Sequence, residues 1–182
     1  MNMLNKLELL LRHLWLDASD TRRTIPPDML ARLAARVAAS ERHHSGQIRI
    51  CVEASLPASY LWRLDSKTPL SSLIHQRALA MFSKLRVWDT EENNGVLIYL
   101  LLTEQSIEIV ADRGLTRHVS AQQWQAMIAR MGNAFHEGRY EDGLTQALEE
   151  TSAVLMTHFA RSHEQEDRQI PPNELADLPM LQ

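Results

Sequence analysis

Most side chains that could do chemistry fall between residues 89 and 113. Asp89, Glu91, Glu92, Asn93 and Asn94 precede the apolar run Val96–Leu102, while Asp112 and Arg113 follow a second apolar run, Ile107–Ala111. Carboxylate and amide oxygens gathered on one loop are hard ligands, suited to calcium or magnesium. Packed together without a cation, the carboxylates would repel and raise one another's pKa. A bound cation would remove that cost, and Arg113 could then orient an anionic substrate. The candidate metal ligands are Asp89, Asn93, Asn94 and Asp112. The competing reading is plainer: loops are acidic because water solvates them, and Asn93-Asn94-Gly95 is a good turn sequence.

Convergence of these residues requires a hairpin. With Thr103–Ser106 as the turn, Leu102 faces Ile107, Ile98 faces Ala111 and Gly95 faces Gly114, so Asn93, Asn94 and Asp112 share one end of the sheet. That end is the C-terminal end of the last strand but the N-terminal end of the central one. Open α/β sheets usually bind ligands beyond strand C-terminal ends.

Other reactive patterns are sparse. The chain has no GxSxG elbow, no phosphate loop, no GxGxxG and no HExxH, and no organic cofactor is expected. The lone Cys51 allows neither an intrachain disulfide nor a cysteine zinc cluster. Its apolar setting, Ile48–Val52, points to a buried, inert thiol. His43 and His44 are neighbours, but adjacent helical residues point about 100° apart, and cations suit a helix C-terminus for their own electrostatic reason. His118 is the imidazole nearest the acidic cluster in sequence. No catalytic residue can be named.

The elements that must hold the cluster follow from periodicity. Leu4, Leu7, Leu11 and Leu14 fall at helical spacing, broadened by Leu9, Leu10, Trp15 and Leu16. This amphipathic helix must dock on the core, a membrane surface or a partner, a second copy included. Pro26-Pro27-Asp28 opens a second helix running to about His43, with Gly46 as its stop. Gln47–Ala54 reads as a strand, Leu70–Leu85 as a helix, and Val96–Leu102 as a fully apolar central strand. Two helices close the domain, one from a serine cap at Ser120 to about Phe135, the other from Glu141 to about Ala160. The charged, proline-rich tail, residues 164–182, is expected to be extended, with a short peptide-like contact as its functional option. A strand–helix–strand unit implies a parallel crossover, and the tight turn adds an antiparallel pair. The expected fold is a three-layer α/β/α sandwich with a mixed, mostly parallel sheet and an antiparallel hairpin. It spans residues 26–163, after an N-terminal helix and linker at 1–25.

Composition sets the outer limits. The 182 residues suit one domain with a core of its own. A net charge of −4 and a single adjacent arginine pair, Arg22-Arg23, argue against nucleic acid. Glu8, Arg12, His13 and Asp17 break up the leucine-rich start, which does not read as a signal peptide. The longest apolar run is far below the ~20 residues needed to cross a bilayer. A cytoplasmic protein is expected.

Five segments, in order, resemble the TPM domain family, named for a thylakoid-lumen acid phosphatase, a photosystem II repair factor and an acetylcholine-receptor modulator. Gly46-Gln47-Ile48 is similar to the family's Thr-Gly-x-Gln-Ile, and Arg77–Phe82 to its Tyr-Ala-x-x-Leu-Phe helix. Asn93–Ile98 resembles Asp-Asn-Gly-Val-Leu-Leu. Ile107–Leu115 resembles Ile-x-x-Gly-x-Gly-Leu, and Phe135–Leu144 resembles Phe-x-x-Gly-x-Tyr-x-x-Gly-Leu. The resemblance spans Pro26 to Leu155 and implies an α/β/α sandwich, a divalent-cation site and, for at least one member, phosphatase activity. Asn93 stands where the family has Asp, Asp112 where it has Gly, and Asn133 where it has Pro. Two functions are consistent with all this. One is a cytosolic binding or assembly module with a Ca2+ or Mg2+ site, meeting a protein partner or a second copy through its N-terminal helix. The alternative is a metal-assisted phosphatase acting on phosphate monoesters.

Overall fold

The computed structural model describes residues 3–15, 18–65, 67–161 and 173–182. The side chains of Leu4, Leu7 and Leu14, all of Leu16, and tail residues 164–172 lie outside what is described. The elements run α1 (Met3–Trp15), α2 (Ala18–Thr24), α3 (Pro27–Ser40), β1 (Gln47–Glu53), α4 (Ala58–Leu61), α5 (Leu70–Lys84), β2 (Gly95–Leu101) and β3 (Ser106–Ala111). They continue with α6 (Arg113–Thr116), α7 (Ala121–His136), α8 (Tyr140–Phe159) and β4 (Met180–Leu181).

The sheet order is β3-β2-β1-β4, with β2 parallel to β1, β1 parallel to β4 and β3 antiparallel to β2. Side-chain alternation divides the core into two. Ile48, Ile50, Val52, Val96, Ile98 and Leu100 pack with α3, α7 and α8. Cys51, Leu97, Tyr99 and Leu101 pack with α4 and α5 on the other face. Period-2 alternation therefore makes the third layer unavoidable, since both sheet faces are apolar and both need cover. The expected three-layer α/β/α sandwich is the observed one. Among the described residues no helix is long and apolar enough to cross a membrane.

The hairpin differs from expectation by a defined amount. Leu101 pairs with Ser106, Ile98 with Ile109 and Val96 with Ala111, a register two residues tighter than Ile98 opposite Ala111. The turn occupies Leu102–Gln105, with Gln105 at φ 48°. Leu102 is drawn out of the hairpin because its N–H donates to Glu53 O at 3.0 Å, and Thr103 N–H likewise to Ala54 O at 3.0 Å. Continuation along β1 thus competes with β-pairing to β3 and wins. A slip of two preserves each side chain's face, so both cores survive it.

Among the described side chains of α1, Leu9 and Leu10, expected to broaden its apolar surface, pack against the α5-side core, Leu11 is half exposed and His13 is buried. Its Nδ1 accepts from Leu56 N–H at 3.1 Å, and its Nε2 lies 3.1 Å from Glu104 Oε1. A polar anchor selects the docking face. The described end of the tail is ordered by pairing: Ala54 N–H donates to Gln182 O and Gln182 N–H to Val52 O, both at 2.9 Å. Met180 and Leu181 thus add to the chain's own β1 as a short parallel strand.

Candidate functional site

The N-terminal ends of β1 and β2 and the C-terminal end of β3 meet at one end of the sheet, because the first two strands are parallel and the third runs against them. Asp112 N–H donates to Gly95 O at 2.9 Å and Gly114 N–H to Asn93 O at 2.8 Å. Residues 93–95 therefore lie against residues 112–114. Close approach depends on Gly114, since a Cβ there would overlap the Asn93 carbonyl. Asn93 takes a left-handed φ of 53°, a conformation its short amide side chain tolerates.

The polar groups at this end are already engaged with one another. Asp112 accepts from Arg113 N–H through Oδ1 at 2.7 Å, capping α6. Its Oδ2 is buried and has no hydrogen-bond partner among the described residues. Arg113 Nε donates to Asn93 Oδ1 at 2.8 Å. Asn94 is almost wholly buried, and its side-chain amide donates to Ser45 Oγ at 3.1 Å and Glu92 Oε2 at 3.2 Å. Ser45 O–H donates to the same Glu92 oxygen at 2.5 Å, and Asn94 N–H is held by Thr90 Oγ1 at 3.1 Å.

Asp89 is placed elsewhere. Its carboxylate pairs with Arg86 on the side of the loop that the tail crosses, where Glu91 N–H donates to Glu174 Oε2 at 2.9 Å. The fold thus brings Asn93, Asn94 and Asp112 together and turns Asp89 toward an arginine. Among the described residues, no three of His, Cys, Asp or Glu are grouped to hold a metal ion. A cation here would draw on Asp112 Oδ2, which has no partner among the described residues, and would have to share the Asn93 oxygens with Arg113 and Gly114. One carboxylate with neutral oxygens is a low-charge set, suited to calcium more than to magnesium.

Two contributors were invisible to sequence spacing. Ser45, from the loop before β1, bridges Asn94 and Glu92. His158, near the end of α8, stacks on His118 with ring centroids 4.6 Å apart and an interplanar angle of 17°, while Phe159 meets the His118 ring edge-on. The adjacent His43-His44 pair is split between surface and core. His44 is fully buried, with Nε2 2.8 Å from Ser40 Oγ and Nδ1 3.0 Å from Gly46 O.

Three comparisons bear on the chain. A family model described as TPM domain matches residues 18–154. The NMR structure of BA42 protein from the psychrophilic bacterium Bizionia argentinensis aligns with a TM-score of 0.66 at 22% identity, covering 84% of this chain and 92% of that one. At that identity the likeness is one of fold. No curated protein matches the chain significantly.

Proposed function

The chain belongs to the TPM domain family, and from that premise we propose that it is a cytoplasmic binding or assembly module which takes a divalent cation, calcium before magnesium, weakly at Asp112. The supporting observation is the second carboxylate oxygen of Asp112, buried and without a partner among the described residues, on a segment that bonds back to Asn93 and Gly95. A bound cation would satisfy that oxygen and tie the 90–94 loop to α6. It would act as a clip between two segments of one surface. A low-charge donor set of this kind belongs with the weaker calcium sites, roughly 10⁻⁴–10⁻³ M.

The partner surface in this reading is the outer side of α1, where Leu11 and Trp15 are 50% and 83% exposed. Leu9, Leu10 and His13 anchor the inner side, and among the described residues this outer stripe is left to meet another protein. A metal-assisted phosphatase would need a base or nucleophile beside the cation, and no hydrogen bond among the described residues ties an imidazole to Asp112.

A thermal melt with millimolar calcium or magnesium tests the cation. Binding to the folded state raises the melting temperature by mass action, and Asp112→Asn should abolish the rise. An unshifted melting temperature at about 10 mM calcium, roughly tenfold above the weakest dissociation constants of such sites, would remove the cation from the proposal.

A further inference from the structure

The two edges of the sheet are treated differently. The β1 edge is covered by the chain's own C-terminal strand β4, whereas among the described residues no strand lies beyond β3. Because Asp112 N–H bonds Gly95 O, and bonded pairs alternate along an antiparallel ladder, the main chains of Val110, Glu108 and Ser106 face β2. The N–H and C=O groups of Ile107, Ile109 and Ala111 are left on the outer side. Helices α5 and α7 stand on either side of this edge and enclose a slot of about 910 Å3.

The walls of the slot differ in chemistry. Ile109, Val119, Trp124 and Ile128 form the α7 side. The α5 side carries Ser72 and a carboxylate, Glu108, whose Oε2 lies 2.9 Å from His75 Nδ1. Trp124 is 7% exposed, and its indole N–H is buried without an acceptor among the described residues. A buried indole donor is costly unless something accepts from it. A main-chain carbonyl would.

We propose that the β3 edge is a docking slot for an extended peptide of another protein, with apolar side chains at alternate positions toward α7 and a basic residue between them opposite Glu108. Each feature of the slot specifies one feature of the occupant. The outward main chain of Ile109 demands a strand, since only an extended segment presents donors and acceptors at that repeat. Two unlike walls demand alternation, since successive side chains of a strand point to opposite faces. The Glu108 carboxylate selects a basic residue on the α5 side. Helices α5 and α7 both line the slot, which favours a single peptide between them over a second copy's whole sheet edge.

The test uses the full-length, 15N-labelled chain titrated with a capped pentapeptide of alternating valine and lysine, with valine at both ends. Saturable shifts of the Ile107, Ile109 and Ala111 amides and of the Trp124 indole are expected. The same peptide N-methylated on its edge-facing amides should bind at least tenfold more weakly. Glu108→Lys should lose the lysine peptide and gain its valine–glutamate counterpart, with the melting temperature showing that the variant is folded. Equal binding of the N-methylated peptide would make this an apolar small-molecule cavity and overturn the proposal, as would no saturable shift at millimolar peptide. Dimerisation of the free chain, lost in Ile109→Lys, would assign the edge to a second copy and also overturn it.

Discussion

Arg113 Nε and Asn93 Oδ1 meet at 2.8 Å across two segments that join the sheet from opposite directions. The contact engages a neutral oxygen of the segment facing Asp112 with a guanidinium, and it adds a positive charge on the residue next to Asp112, whose Oδ2 has no partner among the described residues. The same residue that closes the loop over α6 therefore opposes a cation at that place.

Replacing Arg113 should strengthen cation binding. Arg113→Ala frees the Asn93 oxygen and removes a like charge from the site, so the calcium-induced rise in melting temperature should be larger than in the parent at equal calcium. A thermal-shift titration checks this, and an unchanged or smaller rise counts against Asp112 and Asn93 as ligands.

The opposite end of β1 carries a different group. Glu53 accepts from Arg77 Nε at 2.9 Å and Nη2 at 2.5 Å, and from Tyr99 O–H at 2.6 Å, with the ion pair almost closed to solvent. Removing one partner strands the other charge. Arg77→Met should cost about 3–5 kcal/mol, whereas Tyr99→Phe removes one hydrogen bond to a charged group and should cost about 1.5–3 kcal/mol. Urea denaturation of the three proteins gives both numbers.

Two buried groups at the end of α3 give opposite pH dependences. Burial raises the Glu41 carboxyl to about 7, partly offset by the bond from Ile48 N–H. Its contribution is fully present below pH 4.5 and is lost as pH rises through 7, because the unfolded chain ionises first. Burial lowers His44 to about 4. Its contribution is present above pH 6.5 and is lost as pH falls toward 4, because the unfolded chain takes up the proton. Between pH 4.5 and 6.5 the two slopes oppose. Glu41→Gln should therefore lose stability more steeply on acidification than the parent, and His44→Asn should lose it toward neutral pH. Melting temperatures across pH 4–8 read both slopes.

Cys51 should be chemically silent. It is fully buried on β1, and burial, reinforced by Glu53, pushes its thiol up to about 12. Reaction with a thiol-specific disulfide reagent at pH 8 should follow global unfolding and proceed at once in denaturant. Rapid labelling of the native chain would show that the α5-side core opens locally.

Much of the architecture is legible in short stretches of the chain. Alternation in Gln47–Glu53 and the unbroken apolar run of β2 require two covered sheet faces, and the spacing of Leu73, Ile74, Ala78 and Met81 requires a helix to cover one of them. Ser120 and Gln123 form a reciprocal capping box at the start of α7, a signal contained within four residues. These features rest on interactions between near neighbours, so the sequence by itself carries them.

Tertiary structure decided the rest. The hairpin register depends on Glu53 and Ala54 bonding Leu102 and Thr103, which no spacing within the hairpin reveals. Asp89 left the cluster because Arg86 reaches it first, and His158 joined His118 because α8 returns to that end of the sheet. The C-terminal strand found β1 through main-chain hydrogen bonds that any side chains would permit. Partner choice among distant residues is set by competing contacts that exist only once the sheet has formed, and local patterns of hydrophobicity do not rank those competitors.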